Sequence, residues 1–228
     1  MNKIVVINPN SSESVTRDID AALDPLRAAG RPDVACVTLH DGPPAIESDD
    51  DVADAAGRIC RYVRRRGEEC GAFVIACFSD PGLQEARAAC KTPIIGIGES
   101  SILASLAIGS RTGVISILES SFDRHMRLYR SLGVEKRIVG ELSVETGVAG
   151  LSSEDDAFRR LADAGRRLRD ECGADVIVLA CAGMARYRAK LQDRLELPVI
   201  DPTQAATGLA LTLLQVRIAG NLNSNELG

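Results

Sequence analysis

VIACFSDPG, residues 74–82, and VIVLACAGM, residues 176–184, decide how this chain folds. Each is a short apolar run that ends in a small residue and a cysteine, Cys77 or Cys181, and then turns small or polar with a glycine close behind. A buried strand that stops and turns toward a helix has this composition. The flanks repeat too. ECGAFVIAC (69–77) is echoed by ECGADVIVLAC (171–181), and TPIIGIGESS (92–101) by LPVIDPTQAA (197–206). Pro93 follows Cys77 by 16 residues, and Pro198 follows Cys181 by 17. Upstream, KIVVINPNSS (3–12) is echoed by TGVISILESS (112–121). The chain therefore reads as two βαβαβαβ halves of similar order.

The rest of the sequence alternates in the same way. Strand-like runs fall at 4–7, 34–39, 73–76, 93–97, 113–118, 138–144, 176–180 and 198–200. Helical patterns fall at 12–29, 50–69, 81–89, 122–132, 155–171, 184–194 and 203–218. Such alternation predicts an α/β fold with parallel sheets covered by helices. Ser12 is placed to cap the first helix, and Ser153 with Glu154, Asp155 and Asp156 marks another N-terminus. Gly133 follows Leu132 where a C-terminal stop belongs, and Arg64–Arg66 read as a solvated helix end.

The chain has 228 residues, 45% hydrophobic and 26% charged, with a net charge of -5, which suits a globular core and gives no basic face for nucleic acid. Aromatic residues, at 3%, are too few for base-stacking platforms. No apolar run approaches the ~20 residues of a spanning helix, and MNKIVVINPN reaches Asn8 and Pro9 too soon for a signal peptide. The expected compartment is the cytoplasm, with no membrane partner. Seven cysteines, an odd number with no CxxC pair, argue against a disulfide framework or a zinc site. Cys36, Cys60, Cys70, Cys90 and Cys172 read as small packing residues.

In open parallel sheets, ligands bind beyond the carboxyl ends of the strands. Cys77 and Cys181 stand at such ends, as do Asn8 with Asn10 and Ser116 with Ser120. Related by a pseudo-twofold axis, the two cysteines face each other across one cleft. Opposed thiols suit inversion of an acidic C–H centre: one takes the proton from one face, the other returns a proton to the opposite face. Helix-terminal N–H groups can stabilise a thiolate and a developing oxyanion. HExxH, GxSxG and a P-loop lysine are absent. GIGESS, with Gly96, Gly98 and Ser101, misses the third glycine of a dinucleotide fingerprint. His125 lies in the polar stretch SFDRHMRLYR and reads as a surface residue; His40 ends a strand and could face the cleft.

Together VVINPNSS, GPPAIES, FVIACFSDPGL, VIVLACAGM and LPVIDPTQAA resemble the aspartate/glutamate/hydantoin racemase superfamily, most closely its hydantoin racemase branch, which includes allantoin racemases. The resemblance spans Asn2 to about Gly220. It implies two pseudo-symmetric Rossmann-like halves with mainly parallel four-stranded sheets and the active site between them. It implies a first domain of residues 1–98 and 203–220, a second of 99–202, and a polar tail of 221–228. It implies racemisation of a small molecule with no cofactor and no metal, by a homo-oligomer. On that pattern Cys77 and Cys181 transfer the proton. Asn8, Ser79 and Ser116 contact the substrate, and the backbone at Phe78, Ala182 and Gly183 holds the enolate-like oxygen. A 5-monosubstituted hydantoin, allantoin among them, suits the scheme, because its neutral ring needs no fixed cationic clamp. Amino-acid racemisation, maleate-type isomerisation and a two-lobed binding protein without turnover are the competing readings. A decarboxylase of this superfamily needs only one of the two cysteines. Glu47, in GPPAIES, is a further pocket-lining candidate with no assigned role.

Overall fold

The computed structural model describes residues 3–28, 30–67, 69–145 and 154–216. It contains two four-stranded parallel sheets. The first comprises β1 (Lys3–Asn8), β2 (Asp33–Thr38), β3 (Ala72–Ile75) and β4 (Ile94–Gly96), in the order β2-β1-β3-β4. The second comprises β5 (Thr112–Ser116), β6 (Ile138–Ser143), β7 (Val176–Leu179) and β8 (Val199–Ile200), in the order β6-β5-β7-β8. The same order twice is what the internal duplication requires. β3, β5 and β7 are buried at every position. Helices cover both faces of each sheet, which is why these strands read as unbroken apolar runs.

Among the described residues the α-helices are α1 (Glu13–Ala22), α2 (Asp49–Arg66), α3 (Leu83–Ala89), α4 (Ile97–Ile108), α5 (Phe122–Ser131), α6 (Glu154–Asp170), α7 (Arg188–Leu195) and α8 (Pro202–Gln215). The Ser12 hydroxyl accepts from the Val15 amide at the start of α1. Ser48 and Asp51 form a reciprocal capping box on α2, with three aspartates in its first turn and Arg64–Arg66 in its last. α1 is shorter than its sequence pattern suggests. Pro25 turns the chain into a 3-10 segment, Asp24–Leu26, after Leu23. Gly133, at φ 69°, ends α5 through the left-handed conformation. The expected Ser153 cap and the tail 221–228 lie outside the described residues.

α4 is the element that sequence periodicity missed. Glu99 is its only charged residue, so it carries no polar stripe to mark a helical period. Its position explains the composition. Ile97 belongs to the core of the first sheet, with Ile4, Val6 and Val74, whereas Ile102 belongs to a core with Val114 and Val178 of the second. α4 packs along α8 and against β5, β7 and β8, while α8 packs against β1, β3 and β4. Each half thus lays its last helix on the other half's sheet. This exchange ties the two sheets together and sets the cleft between their carboxyl edges.

Candidate active site

One cleft collects the chain just beyond the ends of four strands: Pro9 and Asn10 after β1, Cys77 to Ser79 after β3, Ile117 and Leu118 after β5, and Ala180 to Gly183 after β7. Ile46 and Glu47 reach it from the loop before α2, and Ser121, Arg124 and His125 from the start of α5. Each cysteine stands two residues past its strand, and both are partly exposed. Of the residues singled out in the sequence, Cys77, Phe78, Ser79, Cys181, Ala182 and Gly183 line this cleft together, with Glu47 at their side.

The two thiols are held differently. Cys181 caps the 3-10 turn Ala182–Tyr187, and the Gly183 amide donates to its sulfur at 3.3 Å. Cys77 leads into a turn rather than directly into a helix, with Asp80 at φ 46° and Gly82 at φ 67° before α3 begins. Burial pushes Cys77 up to about 12, against the pull of the Ser79 amide; nearby Cys181 and Asp80 push it further. Burial pushes Cys181 up to about 11, against the Gly183 amide, with Asp201 adding to the rise. The amides lower both values, but less than desolvation raises them.

Asp80 is buried, and its carboxylate accepts from the Gly98 and Glu99 amides at 3.0 and 2.7 Å, capping α4. The glycine-rich GIGESS segment therefore spends these amides inside the protein. Asp201 does the same for α8, accepting from the Gln204 amide at 2.7 Å.

Two residues named from the sequence sit behind the cleft wall. Asn8 is 1% exposed, and its amide nitrogen donates to Asn10 Oδ1, the Ser12 carbonyl and Thr16 Oγ1 at 2.9–3.0 Å. Asn10 lines the cleft instead; with its Oδ1 also taking the Ser12 amide, its Nδ2 is the atom it can offer. Ser116 is fully buried and donates to Glu141. The direct substrate contact expected of Asn8 and Ser116 is thus displaced by inward hydrogen bonds. His40 is 70% exposed, 4.0 Å from Glu13 on a surface groove, and does not face the cleft.

His125 corrects the surface assignment outright: it is 3% exposed and lines the cleft. The spacing Phe122, His125, Met126, Tyr129 was the available signal, an inward face hidden among charged neighbours. Its partner Glu141 went unnoticed, although a lone carboxylate in the strand IVGELS marks a buried charge. Arg124 was also missed. It donates to Asp49 at 2.8 Å and to the Glu47 carbonyl at 3.2 Å, pinning the loop of one half to α5 of the other. Among the described residues, no group of three His, Cys, Asp or Glu side chains is arranged to hold a metal ion. No helix there is long and apolar enough to cross a membrane.

The chain as a whole is similar to known proteins along nearly its entire length. The sequence profile of the Asp/Glu/hydantoin racemase family matches residues 4–210. A hydantoin racemase of Pseudomonas sp. (strain NS671) is 34% identical over 219 residues, covering 94% of this chain and 86% of that protein. A hydantoin racemase of Paenarthrobacter aurescens is 33% identical over 215 residues, covering 93% and 91%. The solved allantoin racemase from Klebsiella pneumoniae superposes with a TM-score of 0.91 at 30% identity, covering 98% of this chain and 92% of that one. The fold and comparisons define an isomerase of the racemase type. The chain belongs to the Asp/Glu/hydantoin racemase family.

Proposed function

We propose that this racemase inverts the C5 centre of 5-monosubstituted hydantoins, allantoin among them, by proton transfer between Cys77 and Cys181. The observation that carries the reading is the shared cleft: both thiols line it from equivalent positions, with backbone amides beside each sulfur. The thiolate of one cysteine takes the C5 proton. The electron pair left behind delocalises into the neighbouring carbonyl, whose growing negative charge the amides following the cysteines are placed to accept. The thiol of the other cysteine then gives its proton to the opposite face of C5. The enantiomer leaves with the two protonation states exchanged, ready for the reverse direction or for reset by solvent. The reactive state has one thiolate and one thiol, and the pair titrates as a unit.

The apolar residues Ile46, Ile117 and Leu118 are among those lining the site. They limit water around the sulfurs and strengthen hydrogen bonds to the developing oxyanion. The test is to incubate single enantiomers of allantoin and several 5-substituted hydantoins with the enzyme in D2O. Polarimetry and proton NMR at C5 are followed together. Enzyme-dependent racemisation with deuterium uptake supports the reading. No exchange above the uncatalysed rate on any hydantoin removes it.

A further inference from the structure

α4 and α8 present an outer side that their packing does not explain. Their inner sides meet the two sheets and each other. On α4 the exposed residues are Leu103, Ala107 and Ile108, none of them polar. On α8 they are Leu209, Thr212 and Gln215, with Val216 just past its end. Leu103, Ile108, Leu209 and Val216 are 45%, 58%, 41% and 57% exposed, and among the described residues no other large apolar side chain is exposed. α8 has no charged residue, and α4 has one, Glu99, which holds Arg87 through two bonds of 3.0 and 3.1 Å. By contrast α2 and α6 expose aspartates and arginines along their length. Single exposed leucines are ordinary, but four large apolar side chains gathered on two adjoining helices mark a surface that is covered.

The face is continuous. Leu103 lies one turn beyond Glu99 on α4, and Leu213 and Val216 lie one and two turns beyond Leu209 on α8. Beside them a groove of about 350 Å³ follows the edge strand β4, lined by Pro93, Ile94, Ile95, Leu209 and Leu213, with Glu99 also on its wall. One chain thus carries both projecting apolar side chains and an apolar hollow that can receive them. Charge names the occupant. Each chain has a net charge of -5, so two copies repel as they approach. At a twofold axis a residue meets its own copy or that copy's neighbours, so a charge there faces its like. On the α4–α8 face that penalty is absent, and homodimer interfaces are apolar and poor in charge at their centre for this reason. Helices of 12 and 14 residues side by side give a face about 20 Å square. Two copies sharing it and the groove cover on the order of 1,000 Å² in all, near the lower limit of specific interfaces. The pairing therefore depends on concentration.

We propose that the α4–α8 face is the twofold contact through which a second copy of this chain docks, with Leu103, Ile108 and Leu209 in the contact. No residue of α4 or α8 lines the cleft, so the contact leaves the cleft of each copy uncovered by these helices. It adds a partner to the two helices that the halves exchange.

The experiment is sedimentation velocity on the full chain from about 1 to 100 µM. It compares the wild type, Leu103→Lys combined with Leu209→Lys, and Asp193→Lys. Asp193 is exposed on α7, and its substitution makes the same change in net charge as the double variant. The wild type and Asp193→Lys should associate alike, and the double variant should raise the dissociation constant by about a hundredfold or more, because its lysines meet their own copies. A wild type that stays monomeric over the whole range overturns the proposal, as does an assembly that the double variant keeps. Hydrogen exchange on the wild type gives a second reading that needs no variant to fold. The amides of α4 and α8 should be better protected at the high concentration than at the low one, and equal protection overturns the proposal. A monomeric wild type that floats with phosphatidylcholine vesicles would give the face to a lipid surface and also overturn it. Association is read without substrate, so neither result bears on the hydantoin reading.

Discussion

The two halves cap equivalent helices with the same group, taken from different places in the chain. In the first half, position 96 at the end of β4 is glycine, and the carboxylate at the start of α4 comes from Asp80, three residues past Cys77. In the second half, the matching position after β8 is Asp201, which caps α8 itself, and Met184 stands three residues past Cys181. A Cβ at Gly96 would lie 2.3 Å from the Asp80 Cγ, so glycine there is the space the borrowed carboxylate occupies. Met184 is fully buried and packs into the hydrophobic core of the second half. A duplicated fold therefore needs an acceptor at each of these helix starts, close to each thiol, but not any particular residue. The comparison also separates chemistry from scaffold. The thiols are equivalent in place, while the turns that deliver them have diverged, one through left-handed Asp80 and Gly82 and the other through a 3-10 cap.

The largest effect should come from removing a thiol. Cys77→Ser and Cys181→Ser should each lower racemisation by about a thousandfold or more, measured on both enantiomers, because each thiol serves one face of C5. If one variant kept near-normal rates, the halves would be equivalent in structure only. The next effect is on pH. Both thiols are raised, to about 12 and about 11, so the thiolate is the scarce form near neutrality. It becomes more abundant as pH rises. Racemisation, as kcat/KM, should therefore climb by up to about tenfold per pH unit from pH 6 toward 9. A flat profile there would put the working thiolate's titration well below this range.

The borrowed carboxylate can be broken and rebuilt. Gly96→Ala should cost about 3 kcal/mol in urea unfolding, by evicting Asp80 and uncapping α4. Asp80→Ala combined with Gly96→Asp converts the first half to the pattern of the second. It should recover about 1–2 kcal/mol relative to the sum of the single substitutions. Simple additivity would mean that the two positions are not exchanging one role.

The most gradual effect is on the pH dependence of stability. Burial raises Asp80 to about 7 and Asp201 to about 6, above the ordinary 3.8, against the pull of the amides they cap. The folded state then binds more protons than the unfolded one from about pH 4 upward. Stability from these groups is present at low pH and lost as pH rises through 6 and 7. The slope is at most about 1.4 kcal/mol per pH unit for each group. Asp80→Asn should flatten that fall between about pH 4 and 7, and Asp201→Asn between about pH 4 and 6. An unaltered slope in both would show that these carboxyls do not titrate there.

The sequence alone carried the parallel sheets, their eightfold strand count, the duplication and the pairing of Cys77 with Cys181. These follow from local composition and from spacing along the chain, because a strand buried on both faces must be apolar throughout. A repeated unit also repeats its strand ends. What the sequence could not carry was which polar side chain turns toward the cleft. Asn8 and Asn10 both stand at the end of β1 in the sequence, but only packing gave Asn10 the wall and Asn8 the hydrogen bonds behind it. His125 looked solvated among Arg124, Arg127 and Arg130 until Glu141, on a strand sixteen residues away, supplied its buried partner. α4 was illegible for a related reason: a helix enclosed by α8 and the other half's sheet needs no polar face, and so leaves no periodic trace. Local pattern determines what a segment is. Which segments meet, and hence which polar groups are satisfied internally and which are left for a substrate, is settled only when the two sheets exchange helices and close the cleft.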